Sequence, residues 1–196
     1  MKKFMFLFGV VMLAALMGCE KQVVDQDPLN ENAAVDSQNS LLKAGHSGMS
    51  ATAVMQNFRA QLSGLNEVPS NDSRARGEAV FMYDAGMDAV SYKLIVANLE
   101  NIRMAHIHAA PAGVNGGVVA WLYPASPPPS LIEGATSGIL AEGVITADQL
   151  VGSMAGMSIS DLVDLMNSEE VYVNIHTNQF PGGEIRGQIS MNKGMH

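Results

Sequence analysis

From Val54 onward, apolar and polar residues alternate in short runs. Phe58, Ala60 and Leu62 alternate with Arg59, Gln61 and Ser63. Ala79, Phe81 and Tyr83 alternate with Val80 and Met82, and Val90, Tyr92, Leu94 and Val96 with Ser91, Lys93, Ile95 and Ala97. Later, Val171, Val173 and Ile175 alternate with Tyr172, Asn174 and His176, and Ile185 and Ile189 flank Arg186 and Gln188. Successive side chains of a strand point to opposite faces, so this pattern predicts many short strands with one buried face. Turn formers punctuate the runs at Asn71-Asp72, Asp84-Ala85-Gly86, Asn115-Gly116-Gly117 and Pro181-Gly182-Gly183. The economical arrangement is all-β: an antiparallel, Greek-key-like β-sandwich.

One stretch departs from period two. Thr146 followed by Gln149 reads as a capping box opening a short helix, and Ser160 is positioned to cap a second one carrying Leu162, Val163, Leu165 and Met166. Together they predict a short helical connection between strands. Pro127-Pro128-Pro129 predicts a stiff extended loop. Trp121 and Tyr123, just before it, are expected in the core at one end of the sandwich.

The N-terminus follows other rules. Lys2 and Lys3 precede an apolar run, Phe4 to Leu16, that is too short to span a bilayer comfortably. It ends in Leu16-Met17-Gly18-Cys19, which resembles the lipobox of bacterial lipoproteins. The expected organisation is a lipoprotein signal peptide over residues 1–18, a polar tether over 19–52 and one domain over 53–192. Cys19 is the only cysteine. It is therefore the expected lipidation site, and the mature chain has no disulfide. The implied partner is a membrane, held through the lipid rather than a spanning helix. Glu20 is not the aspartate that retains lipoproteins in some inner membranes, which points to the outer membrane of a bacterial cell envelope.

Composition narrows the functions further. The formal net charge is −8, so there is no electrostatic case for nucleic acid. The chain contains 14 methionines, but several fall in the leader, and Met82 and Met166 fill apolar positions.

Candidate chemistry concentrates in the histidines. His106 and His108 lie two apart and share a strand face, and His176 falls in a distant strand-like run. Three neutral imidazoles suit copper or zinc and leave a fourth position open. Met104 shares the face of His106 and is a possible additional, soft ligand. Glu67 and Glu184 are candidates to orient the rings, a task that backbone carbonyls also perform. The competing expectation is that the histidines hydrogen-bond loops and pin strand ends. His46 sits in the tether and is expected to be solvated. Glu184 and Arg186 share a face and are expected to form an exposed or cross-strand ion pair. Asn66 and Asn174 are expected to satisfy turn backbones.

Several blocks in order resemble the CHRD domain, named for its occurrence in chordin. They are Leu62-Ser63-Gly64-Leu65-Asn66-Glu67-Val68-Pro69, Gly77-Glu78-Ala79, Ala105-His106-Ile107-His108 and Gly113-Val114-Asn115-Gly116-Gly117-Val118-Val119. Tyr172-Val173-Asn174-Ile175-His176-Thr177 and Pro181-Gly182-Gly183-Glu184-Ile185-Arg186-Gly187-Gln188 complete the set. Ala109-Ala110 departs from the family, which often has glycine there. The resemblance implies a β-rich extracellular binding module without enzyme activity. A more distant similarity, to copper/zinc superoxide dismutases, lies in a His-x-His on one strand and a further histidine on another; the extra zinc ligands and the disulfide cysteines of those enzymes are missing. The expected function is thus a lipid-anchored extracytoplasmic binding module, holding copper or zinc through three histidines, with an envelope protein as a possible partner. A metal-free structural or adhesive module and a dismutase-like redox enzyme are the alternatives.

Overall fold

A computed structural model of the chain describes residues 55–193. The leader, Cys19, the tether and His46 lie outside the described residues.

The described residues form eight strands. They are β1 (Met55–Ser63), β2 (Arg76–Asp84), β3 (Ala89–Ala109), β4 (Gly117–Tyr123), β5 (Ile132–Ile145), β6 (Val171–Thr177), β7 (Ile185–Gln188) and β8 (Ser190–Met191). All pairings are antiparallel. The hydrogen-bonded order is β2-β1-β7-β6-β3-β4, with β5 added on β3 and β8 on β1. Because β2 also pairs with β3, the sheet closes on itself as a barrel-like sandwich. Closure satisfies backbone groups that open edges would leave unpaired.

The long strand β3 makes this possible. Its first half, Ala89 to Ala97, pairs with β2 and β5; its second half, Ile102 to Ala109, pairs with β4 and β6. Between them Asn98 and Asn101 adopt φ of 58° and 53°. Asparagine tolerates this left-handed conformation better than most residues. The pairing with β5 shifts register across Val96 to Leu99, so the strand bends there and serves both layers.

The alternation found in the sequence predicts the inward faces well. Phe58, Ala60 and Leu62 of β1, Ala79 and Phe81 of β2, and Val90, Tyr92, Leu94 and Val96 of β3 all enter the core. Two strands are not apparent from alternation. In β5 most side chains are exposed, and its glycines interrupt any pattern. In β4, Val119 and Ala120 are both buried although adjacent.

The helical connection differs in detail from expectation. Residues Ala147–Gln149 form a single 3-10 turn, with the predicted box between Thr146 and Gln149. The helix that follows, α1 (Ile159–Asn167), is capped by Ser158 and not by Ser160. Ser158 wins because Asp161 stands three residues on: the serine side chain accepts from the Asp161 amide, and the aspartate reaches back to the Ser158 amide. The helix lays Ile159, Leu162, Val163 and Met166 into the core.

Candidate metal centre

One region breaks the sandwich rule that the face opposite the core is wet. All seven residues of β6 are buried. Val171, Val173 and Ile175 pack into the apolar core. Tyr172, Asn174 and His176 alternate with them and so occupy the opposite face. Across the ladder, His106 stands opposite Asn174, His108 opposite Tyr172 and Met104 opposite His176. On the other flank, Arg186 stands opposite Asn174 and Gln188 opposite Tyr172. The result is a second, polar layer. Loops from three parts of the chain supply its hydrogen-bond partners: residues 64–73, 110–117 and 178–183.

Local sequence explains how the loops come so close. Gly183 has φ of 130°, and a Cβ there would lie 2.5 Å from Asn174 Nδ2 and 2.7 Å from Glu67 Oε1. A Cβ on Gly116 would lie 2.0 Å from the Ala109 carbonyl oxygen. Only glycine fits at either point.

Buried polar atoms are nearly always hydrogen-bonded, so each one here can be followed to its partner. His108 Nδ1 lies 3.0 Å from the Gly116 carbonyl oxygen, and His176 Nδ1 lies 2.9 Å from that of Pro181. A carbonyl only accepts, so both Nδ1 atoms carry the proton and both Nε2 atoms present a lone pair. Neither Nε2 has a partner, and His106 has none at either ring nitrogen. One ring nitrogen from each histidine falls within 4.8 Å of the others. His106 is the central ring: its centroid is 5.5 Å from that of His108 and 5.3 Å from that of His176. Its edge meets Trp121 at 4.2 Å between centroids.

Burial sets the charge state. Desolvation first, then the neighbouring His176 and His108 rings, push His106 down to about 3. Desolvation likewise takes His108 down to about 4 against the opposing Gly116 hydrogen bond, with His176 and Arg186 adding to the fall. His176 is also lowered, chiefly by burial. All three are neutral imidazoles at neutral pH, the form that ligates a metal.

The carboxylates expected to orient the rings act one step further out. Glu67 Oε1 accepts from Asn174 Nδ2 at 2.9 Å. Glu184 accepts from Ser73 Oγ and Thr177 Oγ1, both at 2.7 Å. The ring nitrogens themselves use backbone carbonyls. Burial raises Glu67 to about 7, opposed by the Arg186 charge and the Val68 amide. Met104 is half-buried and, with His176, lines a cavity of about 300 Å³.

Other expectations need correction. Glu184 and Arg186 are not an exposed ion pair: both are buried, and the ion pairs among the described residues are Arg59–Glu78 and Lys93–Glu142. Arg186 instead holds loop carbonyls. Trp121 is half-buried against His106 rather than in the core, whereas Tyr123 does pack against the core. Asn66 does satisfy backbone, donating to the Gln61 and Arg186 carbonyls. Asn174 does not; it bonds Glu67 and leaves its Oδ1 without a partner. Tyr172, Asn174 and Trp121 are neighbours of the cluster that strand alternation alone did not single out as such. Their signal was register: each faces a histidine across the ladder.

No curated protein and no solved structure matches the chain. The profile of the CHRD domain does match, over residues 58–189, which spans β1 through β7 and every residue of the histidine cluster. The chain belongs to the CHRD domain family.

Proposed function

We propose that this CHRD domain is an extracytoplasmic binding module that holds a copper or zinc ion through His106, His108 and His176. One observation carries the proposal: three buried rings bring a nitrogen each within 4.8 Å of the others, and every ring holds at least one nitrogen without a partner. A purely structural role explains the two Nδ1 hydrogen bonds. It does not explain orphaned nitrogens, each of which costs about 1–3 kcal/mol when buried unsatisfied. Nitrogens ~2 Å from one tetrahedral ion lie ~3.3 Å apart, so binding would draw the rings inward from the 4.8 Å they span. The donor set is all imidazole, which suits copper or zinc and not calcium or magnesium. A bound ion supplies positive charge and an open coordination position; the chain's residues fix which nitrogens face it.

Lipid anchoring through Cys19 at the outer membrane belongs to the same proposal, supported by the Leu16-Met17-Gly18-Cys19 motif. The module would then be held at the cell envelope, where a protein partner is reached.

Metal analysis of protein purified without a histidine tag tests the ion. One equivalent of copper or zinc is expected in the wild type, and almost none in His106→Ala/His108→Ala. Equal and negligible metal in both proteins would leave a metal-free structural or adhesive module. Superoxide consumption by the copper-loaded protein would restore the redox alternative. Cys19→Ala should move the protein from the membrane to the soluble fraction.

A further inference from the structure

Arg186 is among the largest fully buried side chains, yet it forms no ion pair among the described residues. A buried charge outside ion-pair distance of a carboxylate is costly unless it is hydrogen-bonded. Here they are spent on a single loop. Nη2 donates to the Val114 carbonyl at 2.6 Å and the Pro111 carbonyl at 3.3 Å, and Nη1 donates to Asn115 Oδ1 at 3.1 Å. The guanidinium carbon also lies 3.3 Å from the centre of the Tyr172 ring.

These contacts continue to a histidine by two routes. The loop held at Pro111, Val114 and Asn115 leads directly into Gly116, whose carbonyl receives His108 Nδ1–H at 3.0 Å. The Tyr172 ring also stacks on the His108 ring, with centroids 4.9 Å apart and planes 9° from parallel. The Tyr172 hydroxyl then accepts from the Gly116 amide at 3.2 Å, which closes the circuit. Tyr172 thus contacts both the guanidinium and the imidazole, and one loop is bonded by all three side chains.

We propose that Arg186 is the positioning residue for the metal ligand His108. Through the Pro111–Gly116 loop and through Tyr172 it selects the Nδ1–H form and aims Nε2 at His106 and His176. The proposal rests on the metal-binding reading for its consequence, but the ring selection it describes exists in the metal-free protein. His176 is an internal control, because its Nδ1 hydrogen bond goes to Pro181, in a different loop. A lysine cannot replace the planar fork that reaches two carbonyls and stacks on a ring.

The test uses the whole chain, metal-free and then with zinc alone. Imidazole ¹⁵N chemical shifts should show Nδ1–H and a bare Nε2 for both His108 and His176 in the wild type. In Arg186→Met, the His108 signals should move toward a mixture of the two ring forms while those of His176 stay. Zinc affinity should fall about 10- to 100-fold, the usual effect of losing a residue that orients a ligand. Arg186→Lys should recover little of either. If Arg186→Met does not fold, Asn115→Ala removes one acceptor from an exposed loop residue and should shift the His108 signals in the same direction, by less. Unchanged His108 signals in a folded variant overturn the proposal. Absence of zinc binding in the wild type, with the His108 shift present, overturns the metal reading and leaves the positioning role standing.

Discussion

The two halves of β3 obey different rules within one strand. From Ala89 to Ala97 it is an ordinary sandwich strand: Val90, Tyr92, Leu94 and Val96 face the core, while Lys93 and Ile95 face outward. From Ile102 to Ala109, Ile102, Ala105 and Ile107 continue the core, but His106 and His108 on the other face are buried as well. The first half is stabilised by apolar burial and carries no unmet hydrogen bond. The second half contains three of the five buried side-chain atoms that lack a partner among the described residues. A sheet retains such atoms at a cost in stability, so the contrast separates a half that maintains the fold from a half whose cost the proposed ion would offset.

The sharpest way to break this contrast is to cut into each half and compare. Leu94→Ala should destabilise the protein by about 2–5 kcal/mol in urea unfolding, with the metal content of the folded fraction unchanged. His106→Phe should abolish metal retention, yet leave the metal-free protein as stable as the wild type or up to about 1–3 kcal/mol more stable, because two orphaned nitrogens disappear. A large loss of stability in metal-free His106→Phe would show that this ring belongs to the fold and not to a ligand site.

Acid provides the next test. The unfolded chain protonates its histidines near pH 6.5, while the folded chain resists until about 4 for His108 and about 3 for His106. Below pH 6.5 the unfolded state therefore binds more protons, and the metal-free protein loses stability as pH falls, at up to about 1.4 kcal/mol per unit for each ring. Glu67 acts in the opposite sense. Folded, it holds a proton up to about 7, against 4.5 when unfolded, so its contribution is lost as pH rises through that window. Three rings outweigh one acid, and the urea midpoint should drop between pH 6.5 and 4.5. Glu67→Gln should steepen that drop. The smallest effect is expected on the outer face of the ordinary half: Ile95→Thr should change stability by less than about 0.5 kcal/mol and leave metal binding intact.

Much of this arrangement was readable from the chain, for identifiable reasons. Alternation at Phe58-Ala60-Leu62 and Val90-Tyr92-Leu94-Val96 marks inward faces because each strand has one dry side. The histidines were readable because a spacing of two fixes a shared face whatever the rest of the fold does. What alternation cannot state is whether the opposite face is wet. Glu184-Ile185-Arg186 looks like a surface ion pair until the 64–73 and 110–117 loops, which come from distant sequence, cover it. The Arg186 role was missed for that reason. Strand β5 was missed because its exposed residues and glycines carry no period. The Ser158 cap was missed although its signal, an aspartate three residues later, was present.

The bend at Asn98–Asn101 makes β3 the spine common to both layers, and the first and last of the described residues lie close together: the Asn192 amide bonds the Asn57 carbonyl at 2.8 Å. Circular permutation is therefore feasible. New termini opened in the proline-rich segment 124–131 should spare every ladder, whereas a break at residues 98–101 would sever the one strand on which both halves hang.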